Sequence, residues 1–133
     1  MGIPVYFKTC IETYDTICEP LESQPIDYLL FDFNCLIHPC CRNTTDESEM
    51  IQTILTTLND LLVRVNPQKK VLIAIDGPCP KPKLLQQRMR RFKSALEKKP
   101  WDTNAITPGT RFMKQLEIQL QEFISQSFYS IQL

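Results

Sequence analysis

Asp32 and Asp76 each close an apolar run, Tyr28-Leu29-Leu30-Phe31-Asp32 and Val71-Leu72-Ile73-Ala74-Ile75-Asp76. If the runs are neighbouring parallel strands, they lie about 4.8 Å apart and both carboxylates emerge at one sheet edge. In open α/β sheets that edge, beyond the carboxyl ends of the strands, is where ligands bind. Two carboxylates there repel unless a cation bridges them or one takes up a proton. Mg²⁺ prefers oxygen ligands and accepts substrate phosphate in its shell. Two such ions roughly 4 Å apart stabilise attacking and leaving oxygens together. The competing explanation is structural, with one Asp capping a turn and the other pairing with Arg or Lys.

Cations stand next to this acid. Lys83, Gln87, Arg90 and Arg91 fall on one side of a helix, while Leu85, Met89, Phe92 and Leu96 fall on the other. The first side offers donors, and the second is expected to be core. The helix start adds a positive dipole end and free N–H groups. A terminal phosphate fits against Lys83, Gln87 and the two arginines, Arg supplying forked contacts. The plainer alternative is a solvated surface helix. From Lys81 to Lys99 there are eight Lys or Arg and one acid, Glu97, within a chain whose 15 Lys+Arg balance 15 Asp+Glu. A neutral total therefore hides a basic stretch without interleaved acids. Acid able to hold metal beside cations able to hold phosphate points to phosphate-ester chemistry on a nucleic acid.

The single His38 sits among Cys35, Cys40 and Cys41. Their spacing does not match the usual zinc modules, and no second Cys/His pair lies downstream. As a loop residue near Asp32, His38 is better suited to stacking on or hydrogen-bonding a base. Trp101 has the means to stack likewise, but packing is the better account of it.

The elements that must position these groups follow from periodicity. Residues 5 to about 15 read as a short amphipathic helix and 18–25 as a loop. Residues 26–33 form a nearly continuous apolar run, as expected of a strand buried on both faces in a parallel sheet. A loop is expected over 38–45. Asp46 and Glu49 read as a capping box for a helix over about 48–65. Its stripe is Met50, Ile51, Ile54, Leu55, Leu58, Leu61, Leu62 and Val65, and Asn66-Pro67 stops it. Residues 71–75 are the second strand, so strand, helix and strand form a right-handed parallel βαβ unit. Residues 77–82 carry three prolines and are expected to stay non-helical. The basic helix follows over 83 to about 98, then a loop over 100–109. A last helix starts at Thr107-Pro108, with Phe112, Leu116, Leu120, Phe123 and Ile124 on its apolar face. Residues 128–133 look like the beginning of another strand. There is no internal repeat.

At 133 residues, the chain is long enough for one domain and too short for two. No run approaches the roughly 20 apolar residues of a membrane span, so no membrane association is expected. The start lacks the basic-then-apolar build of a signal peptide. The six irregularly spaced cysteines read as reduced thiols, as in the cytoplasm or nucleus, rather than as a disulfide framework.

Taken together, several segments resemble the N-terminal part of the XRN family of 5′→3′ exoribonucleases. They are Met1-Gly2-Ile3-Pro4-Val5-Tyr6-Phe7, Phe31-Asp32-Phe33-Asn34-Cys35-Leu36-Ile37-His38, Ile75-Asp76 through Lys83, Gln86 through Phe92, and Asn104 through Met113. They cover residues 1 to about 113 in the family's order. The resemblance implies an α/β, parallel-sheet nuclease fold of the PIN or flap-endonuclease kind with a βαβ core. It implies that residues 1–133 form the N-terminal part of a catalytic domain whose active site is incomplete here. Asp32 and Asp76 would hold catalytic Mg²⁺, with Mn²⁺ as the alternative ion. Lys83, Gln87, Arg90 and Arg91 would bind the 5′-monophosphate of single-stranded RNA, and His38 would stack on the leading base.

Three departures stand out. Cys35 occupies a position where the family pattern has Gly. Pro78-Cys79 replaces small apolar residues. The family's further acidic motifs follow the third strand, where this chain stops, so the 133 residues alone are expected not to cleave RNA and to need further polypeptide or other chains. An alternative is a catalytically incomplete homologue acting as a nucleic-acid-binding or virion assembly protein. A DNA-directed flap-endonuclease-like activity is a third, less favoured by the segment from Lys83 to Arg91.

Overall fold

Apolar runs ending in loop residues build a three-stranded parallel sheet, in the order β1-β2-β3, in the computed structural model. The structure describes residues 5–14, 25–96 and 100–133. Residues 1–4, 15–24 and 97–99 lie outside it, and with them the first residues of the family-like opening, most of the expected loop over 18–25 and the expected last turn of the basic helix. The elements are α1 (Tyr6–Thr13), β1 (Tyr28–Asp32), α2 (Asn34–Cys40), α3 (Glu47–Val65), β2 (Lys70–Ala74), α4 (Lys81–Leu96), a 3₁₀ turn (Thr103–Ala105), α5 (Arg111–Gln126) and β3 (Ile131–Gln132).

Leu30 stands opposite Leu72, and Leu72 opposite Gln132. Both crossovers step the same way along the sheet, from β1 to β2 to β3. Right-handed crossovers stepping in one direction lay their helices on one face. Accordingly α3 and α5 pack on each other. Between them and the sheet lies the core of Met50, Ile54, Leu58, Leu62, Val71, Ile73, Phe112, Leu116 and Leu120, joined by Phe33, Leu36 and Ile37. The α/β, parallel-sheet reading with a βαβ core therefore stands.

One expectation about the sheet does not hold. Continuous apolar runs suggested strands buried on both faces, yet burial alternates along β1 and β2. Leu30 is 71% exposed and Tyr28 58%. Since both crossover helices take one face, nothing among the described residues covers the other.

Local chemistry accounts for the helix ends, with some differences from expectation. Asp46 caps α3 by accepting from the Ser48 backbone N–H at 2.9 Å. Glu49 does not close a capping box; it accepts from the Thr44 hydroxyl instead. Asn66 ends α3 in the left-handed region, with φ at 46°. The loop expected from His38 is in part helix, because Leu36 and Ile37 drive α2 into the core and carry Pro39 in its last turn. Helix α4 begins at Lys81 rather than Lys83, since Pro82 falls in the first turn, where its missing donor costs nothing. Helix α5 begins at Arg111, not at Pro108. Gly109, with φ at 86°, turns the chain so that the Thr110 hydroxyl caps the helix by accepting from Met113.

Candidate functional site

The strand ends bring the two aspartates to the same edge. Asp32 is the last residue of β1, in register with Ala74, two residues before Asp76. Pairing continues one step further, the Phe33 N–H donating to the Ala74 carbonyl at 2.9 Å. Asn34 Oδ1 then accepts from the Asp76 backbone N–H at 3.0 Å, tying the end of β1 to the end of β2. Both carboxylates are exposed and both act on Cys35. The charge of Asp32 and its hydrogen bond to the thiol raise the Cys35 pKa above its ordinary value, and Asp76 adds to the effect. Negative potential from both acids therefore overlaps at this edge.

Beside it opens a cleft of about 470 Å³, within the size range of small-ligand sites. Asn34, His38 and Asp76 line one side. Gln87, Arg90, Arg91, Lys93 and Ser94 of α4 line another, and Thr103, Asn104 and residues 106–108 close it. Of the groups singled out from sequence, the cleft gathers Asp76, His38, Gln87, Arg90 and Arg91. It does not take in Asp32, which lines a shallow apolar depression with Cys35 and Leu36. Nor does it take in Lys83, which is half-buried in the first turn of α4.

Polar contacts set the position of α4. The Asn104 side-chain amide donates to the Arg91 carbonyl at 3.5 Å, and the Ser94 and Thr103 hydroxyls share a hydrogen bond at 3.1 Å. Arg91 also donates to Gln87 Oε1 at 3.4 Å. Among the described residues, no cation of α4 pairs with a carboxylate; the salt bridges there are Lys8–Glu12 and Lys69–Asp27. Among the described residues the donors are therefore not engaged with acids. The other half of the α4 expectation fails. Leu85, Met89, Phe92 and Leu96 do not enter the core, and α4 has no buried residue.

His38 lies on α2 rather than in a loop, and its ring lines the cleft. Burial lowers its pKa below 6.5, the charges of Arg90 and Arg42 lower it further, and Asp76 opposes them. The shift favours the uncharged ring, a form suited to stacking on a base. A neighbouring cleft of about 1010 Å³ shares His38, Arg90 and Thr103 with the first. Trp101 lines it too, while packing edge-on against Phe112 with ring centroids 5.4 Å apart. Burial pushes the Cys41 thiol up to about 11, so it stays protonated.

The donor set suits a hard cation in part. Mg²⁺ is often held by one or two carboxylates together with substrate phosphate, and Asp32 and Asp76 supply two. Among the described residues, no group of three or more His, Cys, Asp or Glu is placed to hold a metal. The sequence reading missed Asn34, which clamps the strand ends, and Asn104, which holds α4. Both stand inside segments already picked out by resemblance, and that was the available signal.

The XRN 5′-3′ exonuclease N-terminus family model matches residues 1–132. The chain is 34% identical to 5′-3′ exoribonuclease 1 of Saccharomyces cerevisiae over 151 aligned residues, covering 93% of this chain and 10% of that protein. It is 31% identical to 5′-3′ exoribonuclease 2 of Eremothecium gossypii over 179, covering 94% and 19%. With 5′-3′ exoribonuclease 1 of Schizosaccharomyces pombe the identity is 32%, covering 93% and 11%. These alignments are longer than the 133 residues of the chain, so the relatives carry insertions within the matched region. The chain spans a tenth to a fifth of the length of the relatives it matches. No described helix is long and apolar enough to cross a membrane. With the family model matched from end to end, on a parallel sheet of the PIN-like nuclease kind, this chain belongs to the XRN 5′-3′ exonuclease family and matches its N-terminal region.

Proposed function

We propose that residues 1–133 are the N-terminal part of the catalytic domain of a Mg²⁺-dependent 5′→3′ exoribonuclease, with Mn²⁺ as the alternative ion, acting on single-stranded RNA that bears a 5′-monophosphate. The observation that carries this reading is the cleft. It sets cationic donors of α4 across from Asp76 and His38 at the carboxyl edge of a parallel sheet. Arg90, Arg91 and Gln87, with Lys83 at the helix start, would hold the terminal phosphate through charge-assisted hydrogen bonds. His38 would stack on the first base. Asp32 and Asp76 would hold the ion, which supplies charge neutralisation at the reacting phosphate. For the shortened RNA to re-enter the pocket it must carry a new 5′-monophosphate. Scission therefore falls between phosphorus and the O3′ of the departing nucleotide, with water providing the incoming oxygen.

Two carboxylates and one uncovered sheet face support the view that further polypeptide, or another chain, completes the site. The same shortage supports a second reading for the chain by itself, a nucleic-acid-binding or virion assembly component that does not cleave. One experiment addresses both. Fluorescence anisotropy of a single-stranded RNA decamer on the 133-residue chain should give affinity about a hundredfold or more tighter for the 5′-monophosphate than for the 5′-hydroxyl form, since two or three charged contacts are lost. The same mixture in Mg²⁺ should leave the RNA intact. Equal affinities would remove the phosphate pocket; cleavage would show that the two aspartates suffice.

A further inference from the structure

The turn between α2 and α3 and the loop after α4 both line the second cleft, of about 1010 Å³. Arg42, Asn43 and Thr44 come from the first, Trp101 and Thr103 from the second. Both parts are fixed by the fold. The Arg42 N–H donates to the Pro39 carbonyl at 3.2 Å. The Thr44 hydroxyl accepts from the Asp46 N–H at 3.2 Å and donates to Glu49 in the first turn of α3. Trp101 packs on the buried Phe112. Walls set in advance lose little freedom when a ligand arrives.

The lining combines a half-buried indole with an exposed guanidinium and an exposed amide. Among the described residues, none that lines this cleft is acidic, and no carboxylate pairs with Arg42. Unpaired RNA bases are bound by this combination, an aromatic ring on the face and polar groups on the edge. The cleft also shares His38 and Arg90 with the first one, and the charges of Arg90 and Arg42 both reach the imidazole. With the terminal phosphate on Arg90, the base joined to it through one sugar comes within reach of the second space. A protein segment lodged here would crowd the nucleotide on Arg90, so a base is the better occupant.

We infer that the second cleft seats the base of the 5′-terminal nucleotide, Trp101 joining His38 as a stacking surface and Arg42 selecting guanine. The Arg fork matches the O6 and N7 acceptors of guanine. Adenine sets an amino donor against it at the position of O6, and pyrimidines lack N7 and offer one ring to stack. This inference rests on the phosphate pocket proposed above, and adds to it a preference for the first nucleotide.

The chain has one tryptophan, so indole fluorescence reports on this cleft. The probes are 5′-monophosphorylated RNA decamers that begin with G, A or U and continue in uridine, titrated in EDTA at pH 8, above the ordinary imidazole range. The G-first RNA should bind about tenfold tighter than the U-first one and quench Trp101 more strongly. Arg42→Gln, a change at an exposed side chain, should bring the three affinities together while keeping the preference for a 5′-monophosphate over a 5′-hydroxyl. Equal affinities and an unquenched Trp101 in the unaltered chain, with the phosphate preference present, would overturn the inference and leave the pocket standing. No phosphate preference would overturn the pocket and the inference with it. If Arg42→Gln weakened all three RNAs alike, Arg42 would be a backbone contact and the inference would fail. The guanine preference should also hold in the longest native polypeptide that carries this sequence. Its loss there would assign the cleft to the additional polypeptide and overturn the inference.

Discussion

Helices α3 and α4 look alike as patterns and end in opposite situations. Each carries apolar residues at helical spacing, yet α3 buries Met50, Ile51, Ile54, Leu58 and Leu62 while α4 buries nothing. Periodicity reveals that a helix has an apolar side. It does not reveal whether the fold supplies anything to cover that side. The width of the stripe carries the missing information. The α3 stripe has eight apolar positions and wraps far enough to meet a sheet and a second helix. On α4, Leu85, Met89, Phe92 and Leu96 form a narrower file. What holds α4 to the body is polar, through Asn104 and Thr103.

The largest effect expected from this contrast is on stability. Leu116→Ala, which empties space in the buried face of α5, should cost about 2–5 kcal/mol. Phe92→Ala, which removes a larger side chain from α4, should cost no more than about 0.5 kcal/mol, as for other exposed positions. Urea unfolding of both variants measures the difference. Similar losses would mean that the outer side of α4 is covered in solution, and the contrast would collapse.

What the sequence disclosed divides along the same line. The parallel βαβ unit was legible because strand, long amphipathic helix and strand leave little topological choice once crossovers are right-handed. The juxtaposition of Asp76, His38 and the α4 donors was also legible, since strand ends and the following helix bring them to one edge. Burial on both sides of the sheet was misjudged. Leu30 and Leu72 are apolar, yet nothing among the described residues covers their side of the sheet. The small shifts at helix starts came from proline. Pro39 and Pro82 read as breakers, whereas buried neighbours in α2 and a first-turn position in α4 accommodate them. Asn34 was unreadable for a different reason. A side chain that clamps two strand ends acts across 42 positions, and no local pattern announces it.

Binding should show the inner side of α4 as distinctly as stability shows its outer side. Arg90 is exposed, lines the cleft and holds no carboxylate among the described residues. Arg90→Gln should leave the unfolding midpoint unchanged and weaken binding of a 5′-monophosphorylated RNA about tenfold, the usual effect of losing a hydrogen bond to a charged group. Binding of the 5′-hydroxyl RNA should change far less. An equal loss for both RNAs would assign Arg90 to general backbone attraction rather than to the terminal phosphate.

The smallest effect is a titration, and it reads the cleft directly because the chain has one histidine. Burial depresses the His38 pKa below 6.5, the Arg90 and Arg42 charges depress it further, and Asp76 alone among these causes raises it. The proton NMR midpoint of the imidazole should therefore lie below 6.5. It should move up in Arg90→Gln and down in Asp76→Asn. The sign for stability follows from the same shift. Between the depressed value and 6.5 the unfolded chain binds more protons than the folded one, so stability rises with pH across that window. The contribution is complete above 6.5 and is lost as pH falls through the folded midpoint. A midpoint at or above 6.5, indifferent to both substitutions, would place the imidazole in open solvent. It would then separate α2 from the donors of α4.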